Sequence, residues 1–313
     1  MFPLIAAPLS LVVALVLDQL LGDPPNRLHP VAWMGTAIGV ARRWAPRQGR
    51  WLPLLYGAGV VGAGVVVVAC VGFLVQQLFL VLPWPLPWLL EAWMVKMTFS
   101  LQGLARAASQ VRQALEAQDL AQARHLLSWH LVSRDTSQLN ESQVAAAAVE
   151  SVAENASDGI VAPLLYYALG GLPAALVYRF VNTADSMLGY RDPDYLWLGK
   201  VPARLDDLVN LVPARLTAAL VVLASLFLGG NARSAWTTWR RDAHRTASPN
   251  AGHPMSSMAG ALGLELVKIG HYQLGAGQAL PAVSDIARAV HLLYGTAALA
   301  VVLCVILMTT LSQ

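Results

Sequence analysis

The sequence predicts an all-α, polytopic helical membrane protein, and three observations predict it. Of its 313 residues, 56% are hydrophobic and 12% charged, which leaves too little polar surface to cover a soluble domain. Several stretches reach the roughly 20 mainly apolar residues that a helix needs to cross the hydrocarbon. The polar segments between them carry helical periodicity. The expected organisation is a single integral membrane domain over 1–313 with about five transmembrane stretches, a helical polar insertion at about 101–157 and a polar loop at about 231–288.

The first stretch, Pro3 to Leu21, carries only Asp18 as a charge. It lacks a basic start and a small-residue cleavage site, so it reads as a retained span and not as a signal peptide. Trp51 to Leu82 is uncharged, with a Gly/Val-rich centre suited to close helix contact. Ile160 to Val181, Val209 to Gly229 and Ala289 to Leu311 complete the set. Leu78 to Leu101 is interrupted by Pro83, Pro85 and Pro87, while Trp84, Trp88 and Trp93 resemble an interfacial belt. It either lies on the membrane or adds a span.

Between the second and third stretches, Leu101, Leu104, Ala108, Val111 and Leu115 fall at helical spacing, and Leu120, Ala123 and Leu127 continue an apolar face after Asp119 as a cap. This reads as a helical hairpin. A third helix is expected from Asn140 or Glu141 to Ala156, stopped by Gly159. In the later polar loop a turn is expected at Ser248-Pro249-Asn250.

The net charge of +3 and pI near 9.0 do not indicate nucleic acid, because the basic residues flank spans and form no aromatic-interleaved groove. Arg27, Arg42, Arg43, Arg47 and Arg50 place the first loop on the cytoplasmic side. Five-span alternation then puts 101–157 and 231–288 on the opposite face. A site drawing on all the loops requires a different span count or a re-entrant stretch, for which Gly170-Gly171-Leu172-Pro173 is the candidate. Cys70 and Cys304 sit in apolar stretches as packing residues.

Four groups of residues have the character of a site. Glu150, Glu154 and Asp158 are spaced i, i+4, i+8, and each like-charged pair costs a helix roughly 0.2–0.5 kcal/mol unless a cation offsets it. The ladder suits Mg²⁺ held by one or two carboxylates and a substrate phosphate; a solvated face or Arg pairing is the alternative. Asn182, Asp185, Arg191, Asp192, Asp194, Lys200, Arg204, Asp206 and Asp207 crowd a short loop between apolar stretches. Lys200 and Arg204 there could grip phosphate, or the group is ordinary interfacial charge. Gly22-Asp23-Pro24-Pro25-Asn26-Arg27-Leu28-His29-Pro30 forms a rigid turn presenting Asp23, Arg27 and His29. Ser248 to Ala261 is small-residue-rich around Asn250 and His253, suited to cradling an anion or to tight helix packing. Ser133-Arg134-Asp135-Thr136 adds a polar knot in which Asp135 is alternatively a cap or turn residue. No P-loop, GxGxxG, HExxH or GxSxG unit is present, and the seven histidines show no i, i+4 pairing for zinc.

The stretches LDQLLGDPPNRLHPVAWMG, SRDTSQLNESQVAAAAVESVAENASDGIVAPLLYYALGGLPAALVYRFVNTADSMLGYRD, GKVPARLDDLVNLVPARLTA and SPNAGHPMSSMAGALGLEL together resemble the CobD/CbiB family of cobalamin biosynthesis, the adenosylcobinamide-phosphate synthases. The resemblance runs from Leu17 to about Gly275, with His253 departing from the aromatic residue of the family pattern. It implies a multi-pass protein of the cell (inner) membrane that joins (R)-1-amino-2-propanol O-2-phosphate, or the free amine, to adenosylcobyric acid with ATP and Mg²⁺. It also implies other cobalamin-assembly enzymes as partners, and no nucleic acid. On residue chemistry, Glu150, Glu154, Asp158 and Asp185 are the catalytic candidates. Glu150, Glu154, Asp158, Asp206 and Asp207 are the Mg²⁺ candidates, and Asp23, Arg27, His29, Arg134, Arg191, Lys200, Arg204 and Asn250 the substrate or phosphate candidates. A transporter or permease, and a non-catalytic AmpE-like signalling protein, are the alternative readings.

Overall fold

The computed structural model describes residues 2–189 and 195–311. Arg191, Asp192 and Asp194 lie outside the described residues. The chain forms two compact units, one of Met1–Ser100, Ala162–Asn210 and Leu303–Gln313, the other of Leu101–Val161 and Leu211–Val302.

In the first unit α1 (Phe2–Leu21) packs on α4 (Leu86–Lys96), while α2 (Pro30–Arg43), α3 (Trp51–Leu80) and α9 (Lys200–Val209) pack on α8 (Ala162–Leu188). Ile38, Val61, Phe180, Ala184, Leu188 and Leu198 form a buried core there. The small residues of α3 allow this approach: Gly64 lies against the Phe180 ring, and a β-carbon at Gly57 would stand 2.1 Å from the Leu198 carbonyl oxygen. Because that neighbour is backbone, Gly57→Ala forces the elements apart. The substitution is expected to cost about 1–3 kcal/mol, read as a lower unfolding midpoint in detergent; an unchanged midpoint would show that the contact is not held. The opposite side of α3 leaves Leu55, Val66, Phe73 and Leu74 exposed, an apolar face of the kind that lipid covers.

Among the described residues, three helical stretches are long and apolar enough to cross a membrane: Trp51–Phe79, Glu141–Leu188 and Val283–Leu311. Helices α9 and α10 (Leu211–Ser225), bent by 46° at Asn210, make a fourth if counted as one span. The all-α membrane architecture therefore stands, with three or four such stretches among the described residues. The first expected stretch is helical over Phe2–Leu21 and includes the apolar helix Pro8–Leu21. Helix α4, with 11 residues, is too short to cross, and its Ala92, Val95 and Lys96 are buried.

The second unit opens on the expected hairpin, α5 (Leu101–Glu116) and α6 (Leu120–His130), with Asp119 Oδ1 accepting the Gln122 N–H at 2.9 Å. Helix α7 (Glu141–Ala156) begins at Asn140, which exchanges side-chain-to-backbone bonds with Gln143 in a capping box. Gly159 does not stop it. A π-helical segment, Ser157–Val161, continues the helix toward α8. One glycine costs a helix only about 1 kcal/mol, and the buried Ile160 and Val161 that follow it offset that. The expected interruption in α8 is a true break, with non-helical angles at Gly170 and a φ of 66° at Gly171.

The segment 231–288, read as a polar loop, is folded. It contains α11 (Ala232–Asp242), α12 (Gly252–Leu262), the antiparallel pair β1 (Leu266–Lys268) and β2 (Tyr272–Leu274), and the start of α13 (Val283–Leu311). Every residue of α12 is buried, and Gly260 sits against the Ser234 backbone with 2.4 Å left for a β-carbon. Its small residues therefore serve tight helix packing.

Candidate functional site

The expected site residues divide between the units. Glu150, Glu154, Asp158, Arg134 and Asn250 belong to the second; Asp23, Arg27, His29, Asp185, Lys200, Arg204, Asp206 and Asp207 belong to the first.

On α7 the ladder grades from inside to outside: Glu150 is buried, Glu154 one turn on is exposed, and Asp158 in the π segment is half-buried. Arg134 Nη2 stands 3.4 Å from Glu150 Oε2, so the cation anticipated beside the ladder is this arginine. Glu150 Oε1 is buried without a hydrogen-bond partner. The hydroxyl of Tyr272 and the ammonium of Lys268, both from the β-hairpin, face the same carboxylate. Ser151 Oγ donates to the Leu131 carbonyl at 2.8 Å, tying α7 to the end of α6 beside Arg134. A buried carboxylate with Arg134 and the Tyr272 hydroxyl beside it, and one oxygen without a well-formed hydrogen bond, is costly, and such groups concentrate where a ligand completes the bonding. Asp135 is a turn residue instead: it accepts from the Ser137 N–H at 2.9 Å and from its hydroxyl at 3.0 Å, and these bonds hold its carboxyl below the usual range. Asn250, also buried, accepts from Arg215 Nη1 at 3.3 Å.

In the first unit Asp23 is a hub. Its Oδ1 accepts from Lys96 Nζ at 2.5 Å and its Oδ2 from Ser100 Oγ at 2.5 Å. His29 Nε2 lies 4.0 Å from Oδ1, while its Nδ1 accepts the Val31 N–H at 3.2 Å and so caps α2. Arg27 is exposed, its carbonyl accepting the Trp33 indole N–H. On α9, Arg204 is 3.6 Å from Asp207, and Lys200 Nζ lies over the Trp197 ring at 4.5 Å. Half-buried Asp206 accepts from Asn182 Nδ2 at 3.3 Å. Asp185 is half-buried near the end of α8, its carboxylate lying over Gly189. Among the described residues no three His, Cys, Asp or Glu side chains form a group that could hold a metal ion.

Burial lowers the His29 pKa, more than the Asp23 carboxylate restores it, and Lys96 and Arg179 lower it further. For Asp23, burial alone would raise the carboxyl; the bonds from Lys96 and Ser100 outweigh it and hold it below its ordinary value. Both groups therefore bind protons more readily in the unfolded chain, and stability rises with pH. The His29 contribution is complete above its ordinary value of 6.5 and is lost as pH falls below it. The unfolding midpoint in detergent is expected to drop by several degrees between pH 7.5 and 5, and His29→Asn, which keeps a capping side chain, to flatten that slope. An identical slope in the variant would remove His29 from the account.

Lys96, Lys268 and Tyr272 carry part of this chemistry and were not singled out from sequence. The hairpin had a signal: Leu266-Val267-Lys268 and Tyr272-Gln273-Leu274 flank Gly270 with strand-type residues. Lys96 had none, since its partner Asp23 is 73 positions away.

The family model described as CobD/Cbib protein matches residues 11–304. The chain is 43% identical over 277 residues to "Cobalamin biosynthesis protein CobD" of Dehalococcoides mccartyi (strain CBDB1), covering 85% of this chain and 86% of that protein. It is 40% identical over 310 residues to the Klebsiella pneumoniae protein of the same description, covering 94% and 95%. It is 39% identical over 315 residues to "Cobalamin biosynthesis protein CbiB" of Salmonella typhi, covering 94% and 95%. No solved structure matches the chain.

Proposed function

Because the chain belongs to the CobD/CbiB family, we propose that it works in cobalamin biosynthesis as a multi-pass cell-membrane synthase. It joins (R)-1-amino-2-propanol O-2-phosphate, or the free aminopropanol, to a propionate of adenosylcobyric acid at the expense of ATP. A carboxylate and an amine do not condense unaided in water, so the carboxylate is activated first. Its oxygen attacks a phosphorus of ATP, forming an acyl phosphate with release of ADP or an acyl adenylate with release of pyrophosphate. The amine nitrogen then attacks the acyl carbon, phosphate or AMP departs with the C–O bonding pair, and the amine proton passes to a base.

The observation that supports this reading in the fold is the Glu150 carboxylate, buried, paired on one oxygen with Arg134, beside the Tyr272 hydroxyl, and with no well-formed hydrogen bond on its other oxygen. It suits a base for the amine proton, with Arg134 and Lys268 positioned beside it for anionic oxygens. The unsatisfied oxygen, with exposed Glu154 a turn away, also fits Mg²⁺ held by one or two carboxylates and phosphate. When bound there, the ion supplies charge neutralisation at phosphate oxygens. The test is a product assay on purified protein in detergent, with adenosylcobyric acid, ATP, Mg²⁺ and each amine in turn. Amide product with either amine supports the reading, and its absence from well-folded protein with both amines overturns it.

A further inference from the structure

A cavity of about 390 Å³ in the second unit is lined by Arg215, Trp239, Arg240, Ala243, His244 and His253, within the size range of small-molecule sites. Its walls are one-sided in charge. Asp242, the one acid of α11, is already committed: it accepts from Arg241 at 2.9 Å and from the Gly275 N–H at 2.8 Å, and lies 3.1 Å from Arg245. Among the described residues neither Arg215 nor Arg240 has a carboxylate within 4.0 Å. Arg215 spends one nitrogen on the Leu211 carbonyl and on Asn250 Oδ1, which holds the guanidinium in place.

His253 adds a second, independent observation. It is 5% exposed, and its Nδ1 accepts the Trp239 indole N–H at 2.9 Å, so the ring proton of the neutral imidazole sits on Nε2. That Nε2 is buried without a hydrogen-bond partner, although the Pro249 carbonyl stands beside the ring. The His244 ring stands edge-on to it at 5.5 Å. Burial first, and then the charges of Arg215 and His244, push the His253 pKa down to about 4, so at neutral pH the ring is an uncharged donor. A buried donor without a well-formed hydrogen bond is costly; an anionic oxygen reaching it would relieve that cost and neutralise the arginines.

We propose that this cavity binds a doubly charged phosphoryl group, gripped by Arg215 and Arg240 and by the Nε2–H of His253. Two arginines match a dianion, whereas a carboxylate would leave one positive charge over. The group could arrive on a soluble phosphate ester or on an anionic phospholipid, and both present the same oxygens. The assignment stands apart from the reaction proposed above, since it requires only binding.

The test uses the full-length protein in phospholipid-free detergent, titrated calorimetrically with inorganic phosphate, with acetate, and with phosphatidic acid in mixed micelles. Saturable binding of phosphate assigns a soluble ester, and saturation by phosphatidic acid alone assigns a lipid headgroup. In either case His253→Phe and Arg215→Gln are expected to weaken binding at least tenfold. Arg240→Gln, at an exposed position where folding is not at stake, is expected to do the same. No saturation by either probe, equal binding of acetate, or full affinity in Arg240→Gln would overturn the proposal.

Discussion

Glu150→Gln is expected to lower the rate of amide formation by about 10²- to 10⁴-fold, the span associated with loss of a general base. The substitution keeps the shape of the side chain and removes its charge and its basicity. Arg134 is left without its anion, but it is about a third exposed and water can solvate it, so folding is expected to survive. The loss should fall on kcat more than on KM if the carboxylate takes up the amine proton, because that interaction develops only in the transition state. Glu154→Gln offers the internal comparison. Its carboxylate is exposed, so water replaces part of what is removed, and a smaller loss is expected. Equal rates for wild type and Glu150→Gln would move the chemistry away from α7 while leaving the enzyme reading intact.

What sequence could deliver follows the range of each signal. Spans are legible because hydropathy sums over one contiguous stretch. The α5–α6 hairpin and the start of α7 are legible because Asp119 and Asn140 bond to backbone three residues away. Glu150 and Glu154 were legible as a pair through helical spacing, and Arg134 through its place in a polar knot. The failures are of longer range. Gly159 carries a local stop signal that burial of its neighbours overrides. The polar character of 231–288 hid two helices and a hairpin, because α12 is buried through small residues and its packing partners are distant in sequence. The basic cavity draws Arg215, Arg240, His244 and His253 from different elements, and no window of sequence contains its unpaired charge as a pattern.

Lys96→Met is expected to cost the largest share of stability of any single substitution considered, about 3–5 kcal/mol. The Lys96 side chain is fully buried, with its Nζ 2.5 Å from Asp23 Oδ1 and 3.9 Å from Asp18 Oδ1, and the Asp18 side chain is fully buried as well. The substitution keeps the apolar stem and deletes the only cation of α4, so both carboxylates lose a partner at once. Asp23 can turn to water, but Asp18 cannot. Set against the total of about 5–15 kcal/mol typical of a domain, that loss should appear as poor yield and a collapsed unfolding midpoint in detergent. The double variant Asp18→Asn with Lys96→Met separates the causes. Removing the buried acid together with the buried base leaves no uncompensated charge, and replacing both partners of such a pair is often near neutral. The double variant should therefore recover most of the stability, giving a coupling of more than about 1 kcal/mol between the two sites. If Lys96→Met unfolds as wild type does, Asp18 carries no charge in the folded protein, and Asp23 with Ser100 suffices to hold the start of the first loop.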